Sequence, residues 1–151
     1  MAWSASKAFA YNMLQLATGK SFDLATDSFK VALYVASITP DNTVTTAALS
    51  SYNGSGSQWV TANEVSSTGY SAGGAAVTPV ACTQTTNVIT FTSSGSPSWT
   101  GVTFTTAGCL VYDTTVSSEG VSYNWFSGSQ TATAASFSIA WNASGIITWS
   151  T

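Results

Sequence analysis

Apolar positions fall into two regimes along the chain. Between residues 4 and 18, Phe9, Met13 and Leu16 recur at i, i+4 and i+7 among good helix formers. This spacing predicts one short helix over 7–17, capped by Ser4 or Ser6 and stopped at Gly19. From residue 29 the period changes to two. Phe29, Val31, Leu33 and Val35 share one face of a predicted strand, and Phe137, Ile139 and Trp141 share another. Further short strands are predicted at 58–60, 75–82, 88–92, 102–104, 109–112, 121–126 and 146–149. The tetrad Asn142-Ala143-Ser144-Gly145 reads as a hairpin linking the last two.

About eight short strands with turn residues between them, and no alternating helices, predict an all-β fold. The expectation is a single-domain β-sandwich, jelly-roll-like, over 1–151. Residues 1–20 form an N-terminal arm and helix, and 29–151 form the sandwich. The run 37–74 is long and weakly patterned. Two readings of it stay open, a partner-binding arm and an exposed excursion. Trp3, Tyr52, Trp59 and Tyr70 carry aromatic surface in or near these irregular parts, which makes them the candidate partner-interface residues. Trp141 and Trp149, in alternating strands, are expected in the core. Residues 1–6 are expected to serve assembly while leaving the β-fold intact without them.

Charge changes the picture more than length does. The 151 residues hold three lysines, six carboxylates, no arginine and no histidine, while Ser and Thr number 49. All three lysines (Lys7, Lys20, Lys30) precede residue 31; Lys7 and Lys20 are expected to face solvent. So few cations exclude a nucleic-acid binder, which needs basic groups against phosphate. Missing histidine excludes His-based catalysis and His-ligated metal. Glu64 and Glu119 lie in loop-like contexts and are read as solvated carboxylates rather than a catalytic pair. Asp23 and Asp27 read as a helix cap or a turn; no Asp-rich calcium loop is present. Cys82 and Cys109 leave open two free thiols or one disulfide. No catalytic residue, cofactor or metal ligand is assigned. No leader peptide and no transmembrane helix is expected.

Four stretches carry a resemblance. They are Asp27-Ser28-Phe29-Lys30-Val31-Ala32-Leu33-Tyr34, the run Glu64-Val65-Ser66-Ser67-Thr68-Gly69-Tyr70-Ser71-Ala72-Gly73-Gly74-Ala75-Ala76-Val77, the segment 99–113 from Trp99 to Asp113, and 137–147 from Phe137 to Ile147. Together they resemble small virion structural proteins of tailed bacteriophages, with a pattern "E-V-x-x-x-G-Y-x-A-G-G-x-x-V" as the most specific element. The likeness spans about residues 9–149. It implies a virion component and no enzyme activity. The favoured expectation is a capsid decoration (cement) protein on the capsid surface, made in the bacterial host cytoplasm. Its implied partners are the major capsid protein and further copies of itself, a trimer favoured, with neither nucleic acid nor membrane. The alternatives are a tail-tube, adaptor or fibre component, and a carbohydrate-binding surface module.

Overall fold

The computed structural model describes residues 3, 5–19 and 23–150. The chain opens with β1 (Lys7–Ala8) and α1 (Ala10–Ala17), then β2 (Phe29–Tyr34). A long connection carries α2 (Ala47–Ser50) and a 3-10 turn (Thr61–Asn63). It is followed by β3 (Ala75–Val77), β4 (Val80–Thr85), β5 (Val88–Ser93), β6 (Ser98–Asp113), β7 (Gly120–Ser138) and β8 (Ile147–Ser150). The strands form two antiparallel sheets, ordered β1-β7-β6-β2-β3 and β4-β5-β8. The fold is therefore all-β and sandwich-like, with a short N-terminal helix, as the pattern predicts.

Period-two alternation on β2 explains the main core. Phe29, Val31 and Leu33 point between the sheets, where they meet Val77, Phe91, Val102 and Val111. The phenyl rings of Phe29 and Phe91 lie 5.1 Å apart across the gap. The opposite face of the same sheet is buried as well. Ala32, Tyr34, Leu110, Tyr112 and Tyr123 pack there against Trp3, Phe9, Ile38 and Trp59. A sheet covered on both faces is why β2 and the second half of β6 read as near-continuous apolar runs.

The cover on that second face is the 37–74 connection. Its backbone is tied down at both flanks: Tyr52 N–H donates to Ser118 O, and Val65 N–H donates to Leu33 O at 3.0 Å. This segment is thus a layer of the fold, which displaces the reading of it as an exposed excursion. Gln58, Trp59 and Val60 form no strand; Trp59 enters the core from a turn.

Two long strands replace four expected short ones. Residues 102–104 and 109–112 are parts of one strand because the Thr-rich segment between them stays extended. Thr106, fully buried, donates its hydroxyl to Tyr34 O at 2.9 Å, so its polar atom is satisfied there. Residues 121–126 and 136–138 likewise belong to β7. The ladder with β6 shifts register at several points instead of ending. The Asn142–Gly145 turn forms as expected, with Gly145 N–H on Asn142 O at 2.8 Å. It does not close a hairpin: β8 leaves for the other sheet and pairs with β5.

The predicted helix is shortened at its start. Lys7 and Ala8 pair with Tyr123 and Ser122 as an edge strand, so α1 begins at Ala10. Ser6 does not cap it; the Ser6 hydroxyl accepts from Trp125 N–H at 2.9 Å. Ser4 and Lys20 lie outside the described residues, while Lys7 is exposed as expected. Of the apolar stripe only Phe9 is buried. Met13 and Leu16 are exposed, and the face turned inward carries Asn12, whose Nδ2 donates to Gly120 O. The stop before Gly19 is as predicted. Asp23 and Asp27 make a turn, with Asp23 N–H on Asp27 Oδ2 at 2.7 Å. No helix among the described residues is long and apolar enough to cross a membrane.

Candidate functional site

Glu64 ends the 3-10 turn and forms an isolated antiparallel bridge with Tyr34, at the edge of β2 that β3 leaves uncovered. From there its carboxylate turns inward and is 6% exposed. Oε1 accepts from Tyr70 O–H at 2.7 Å and from Gly73 N–H at 3.0 Å. Oε2 accepts from Tyr52 O–H at 3.0 Å and shares the Gly73 N–H at 3.2 Å. The Tyr70 oxygen in turn accepts the Leu33 N–H at 2.9 Å, linking the cluster to β2. Tyr112 of β6 donates to Gly73 O at 2.8 Å and stacks on Tyr52, centroids 4.8 Å apart.

This geometry accounts for the glycine-rich element residue by residue. Gly73 and Gly74 hold φ of +86° and +70°, which turns the Gly73 amide onto the carboxylate. A Cβ on Gly74 would overlap the Val31 carbonyl of β2. Val65 and Val77, at the two ends of the element, are core residues. The element is an internal clamp that fastens the 64–77 loop to β2 and β6.

The donors to Glu64 are neutral: two phenols and one amide. Burial, followed by the Glu64 charge, holds the Tyr70 hydroxyl far above the ordinary tyrosine range. Tyr34 is raised for the same two reasons, in the same order. Burial also raises Tyr52 and Tyr112. The phenols therefore stay protonated and act as donors. With both oxygens engaged by such donors, the carboxylate holds the backbone of the loop in place.

The four candidate interface residues divide between the two cores: Trp3, Trp59 and Tyr52 lie at the second, and Tyr70 packs against the main one. Trp3 and Trp59 are buried in the second core, which corrects the expectation of exposed anchors. Trp3 donates Nε1–H to Val35 O at 3.2 Å and stands edge-on to Trp59 and Tyr123, at 5.8 and 6.0 Å. Its ring lies so close to Gly108 that a Cβ there would clash. Trp3 and residues 5–9, ahead of the helix, are thus part of the fold. Tyr52 and Tyr70 are half-buried, with their hydroxyls spent on Glu64. Trp141 and Trp149 are half-buried against the main core.

Two further carboxylates are buried at the β6–β7 turn. Asp113 is 0% exposed; its Oδ1 accepts from Thr115 N–H at 2.6 Å and Val116 N–H at 3.1 Å. Burial, joined by the adjoining Asp27 carboxyl, raises its pKa to about 6 against the opposing hydrogen bonds from the Thr115 and Val116 amides. Glu119 is 2% exposed and is raised by burial. Glu64 and Glu119 therefore are not solvated loop carboxylates. The reason is local: each sits where an irregular segment folds back over the sheet.

Both cysteines are free thiols, Cys82 half-buried and Cys109 buried. Burial pushes the Cys109 thiol up to about 12. Among the described residues no three His, Cys, Asp or Glu side chains gather as a metal-binding group. A groove of about 310 Å³ runs between β1, β7 and β8, lined among others by Lys7, Asn124, Ile147 and Trp149. Its lining pairs no acid with a base. No protein-family model, no curated protein and no solved structure matches the chain.

Proposed function

We propose that this chain is a structural component of a tailed-bacteriophage virion, a capsid decoration protein that binds and stabilises the major capsid protein lattice. One observation supports this reading above the others. After Asp41 the described residues carry three charged side chains, Glu64, Asp113 and Glu119, and all three are buried. The surface contributed by residues 42–150 is therefore built from hydroxyls, amides, backbone and apolar atoms. A surface without charge favours association over solution as a lone monomer. It suits a chain covered by neighbours in a shell. With Trp3 and Trp59 buried, sheet edges and hydroxyl-bearing faces are the contact chemistry on which this reading rests.

Quantitative mass spectrometry of purified particles tests the proposal. Hundreds of copies per particle, released together with loss of capsid resistance to heat, are expected. Tens of copies co-purifying with tails would assign a tail or fibre role instead and overturn decoration. Absence from particles would overturn any virion role.

A further inference from the structure

The two sheets part along one side of the sandwich, where β1 ends the five-stranded sheet and β8 ends the three-stranded one. Between them lies the groove of about 310 Å³. Its two walls differ in chemistry. The β8 wall is apolar: Ile147 and Trp149 alternate inward and pack at the rim of the main core. No other aromatic ring among the described residues contacts Trp149, so its indole face is not covered by one. The opposite wall is polar. Ala8 and Ser122 face each other across the β1–β7 ladder, and Asn124 follows one alternation later. Asn124 Nδ2 donates to Ser122 Oγ at 3.2 Å, which fixes the amide, and its Oδ1 accepts no hydrogen bond from the described residues. The Ser6 hydroxyl accepts from Trp125 N–H and keeps its own hydrogen to donate. Lys7 is the one charged residue in the lining. It pairs with Tyr123, whose ring lies in the second core, so its side chain belongs to the other face of the sheet.

We propose that this groove is a binding site for a neutral sugar, one pyranose ring seated with its C–H face on Trp149 and its hydroxyls on Asn124 and Ser6. A pyranose has an apolar face of C–H bonds and a rim of hydroxyls that both donate and accept. The electron-rich face of an indole attracts C–H groups. The Asn124 carbonyl oxygen and the Ser6 hydroxyl, on the facing wall, supply the acceptor and the donor that such a rim needs. Size and charge narrow the ligand further. The volume lies at the lower end of the range for small-molecule sites, about 300–1,000 Å³, which suits a single ring. A charged sugar would lose hydration with no opposite charge in the walls to replace it. A purely apolar ligand would leave Asn124 Oδ1 and the Ser6 hydroxyl against carbon. Binding by the isolated chain does not depend on the virion reading.

The test is proton–nitrogen correlation NMR on the full chain, titrated with methyl glucoside, methyl galactoside, methyl mannoside and N-acetylglucosamine to about 50 mM, a span that reads millimolar affinities. With at least one of these sugars, saturable shifts are expected at the Trp149 indole N–H and the Asn124 side-chain amide, with Kd of about 1–10 mM. The indole signals of Trp3 and Trp59, buried in the second core, should stay still. Trp149→Ala should weaken binding about tenfold or more by removing the stacking face. Ala8→Leu adds bulk to the opposite wall and removes no polar group, and it should do the same with circular dichroism unchanged. Absence of saturable shifts with all four sugars, binding that survives in both folded variants, or tighter binding of glucuronate than of the methyl glucoside would overturn the proposal.

Discussion

Replacing Glu64 with alanine should cost this protein a large share of its stability. The substitution removes the acceptor of three donors: Tyr52 O–H, Tyr70 O–H and Gly73 N–H. Tyr52 has a second partner, the Thr61 hydroxyl at 3.1 Å, and can turn to it. Tyr70 and Gly73 have none on offer in their present geometry. Two buried donors left without acceptors cost about 1–3 kcal/mol each, and the emptied side-chain volume adds to that. The expected loss is roughly 3–5 kcal/mol. For a chain of this length it lowers Tm by roughly 10–15 °C. Glu64→Gln keeps one acceptor oxygen but brings an NH₂ into a convergence of donors, so about 2 kcal/mol is expected. Tyr70→Phe should cost about the same, because it also strips Leu33 N–H of its acceptor. Denaturant unfolding followed by circular dichroism at pH 7 measures all three. The double variant Glu64→Ala/Tyr70→Phe should be at least about 1 kcal/mol less damaged than the sum of the singles, because the two side chains share one bond. A Glu64→Ala protein within about 0.5 kcal/mol of the parent, or strict additivity, would refute the clamp.

Asp113 should give stability an inverted pH dependence. Its native pKa of about 6 lies above the unfolded value of 3.8, so the folded state holds the extra proton between them. The contribution is full below about pH 4 and is lost as pH rises through about 6. Asp113→Asn should flatten that part of the Tm-versus-pH curve, and an unchanged curve would contradict the assignment. Removing residues 1–6, or substituting Trp3→Ala, should lower Tm by roughly 10 °C, since Trp3 fills a buried aromatic socket. Thermal melts decide this, and a truncated chain with the parent Tm would show that the arm is dispensable to the fold.

The β class was legible from alternation on β2 and at Phe137–Trp141, because half-buried strands write their faces into a period of two. What alternation could not convey is that the central sheet is covered twice. Ala32, Tyr34, Leu110 and Tyr112 face a layer built by a segment with no period of its own. Trp59 and Trp3 were legible as aromatics in need of burial, but not as each other's partners, because 56 residues separate them along the chain. Strand ends are hidden where Thr and Ser, used here as extended residues, look like turn formers. The Met13/Leu16 stripe misled because helical spacing says which residues share a face, not that the face is covered. The glycine-rich element could be seen as specific before its reason was visible. That reason is a carboxylate nine residues upstream of Gly73, which only the folded loop brings into reach.

The Trp3 socket also imposes an order in time. Trp3 and Phe9 precede every wall of their binding place in the direction of synthesis: Trp59, Gly108 and Tyr123 arrive 50 to 120 residues later. Contacts of such long sequence separation form late and slow the search for the native state. Until β7 has emerged and paired, the socket of the amino-terminal aromatics lacks its Tyr123 wall. Newly made chains in a crowded cell are thus most prone to stray association during the interval between residue 9 and residue 123. The length of that interval, more than the depth of the final energy minimum, will govern how much of the protein reaches its native state.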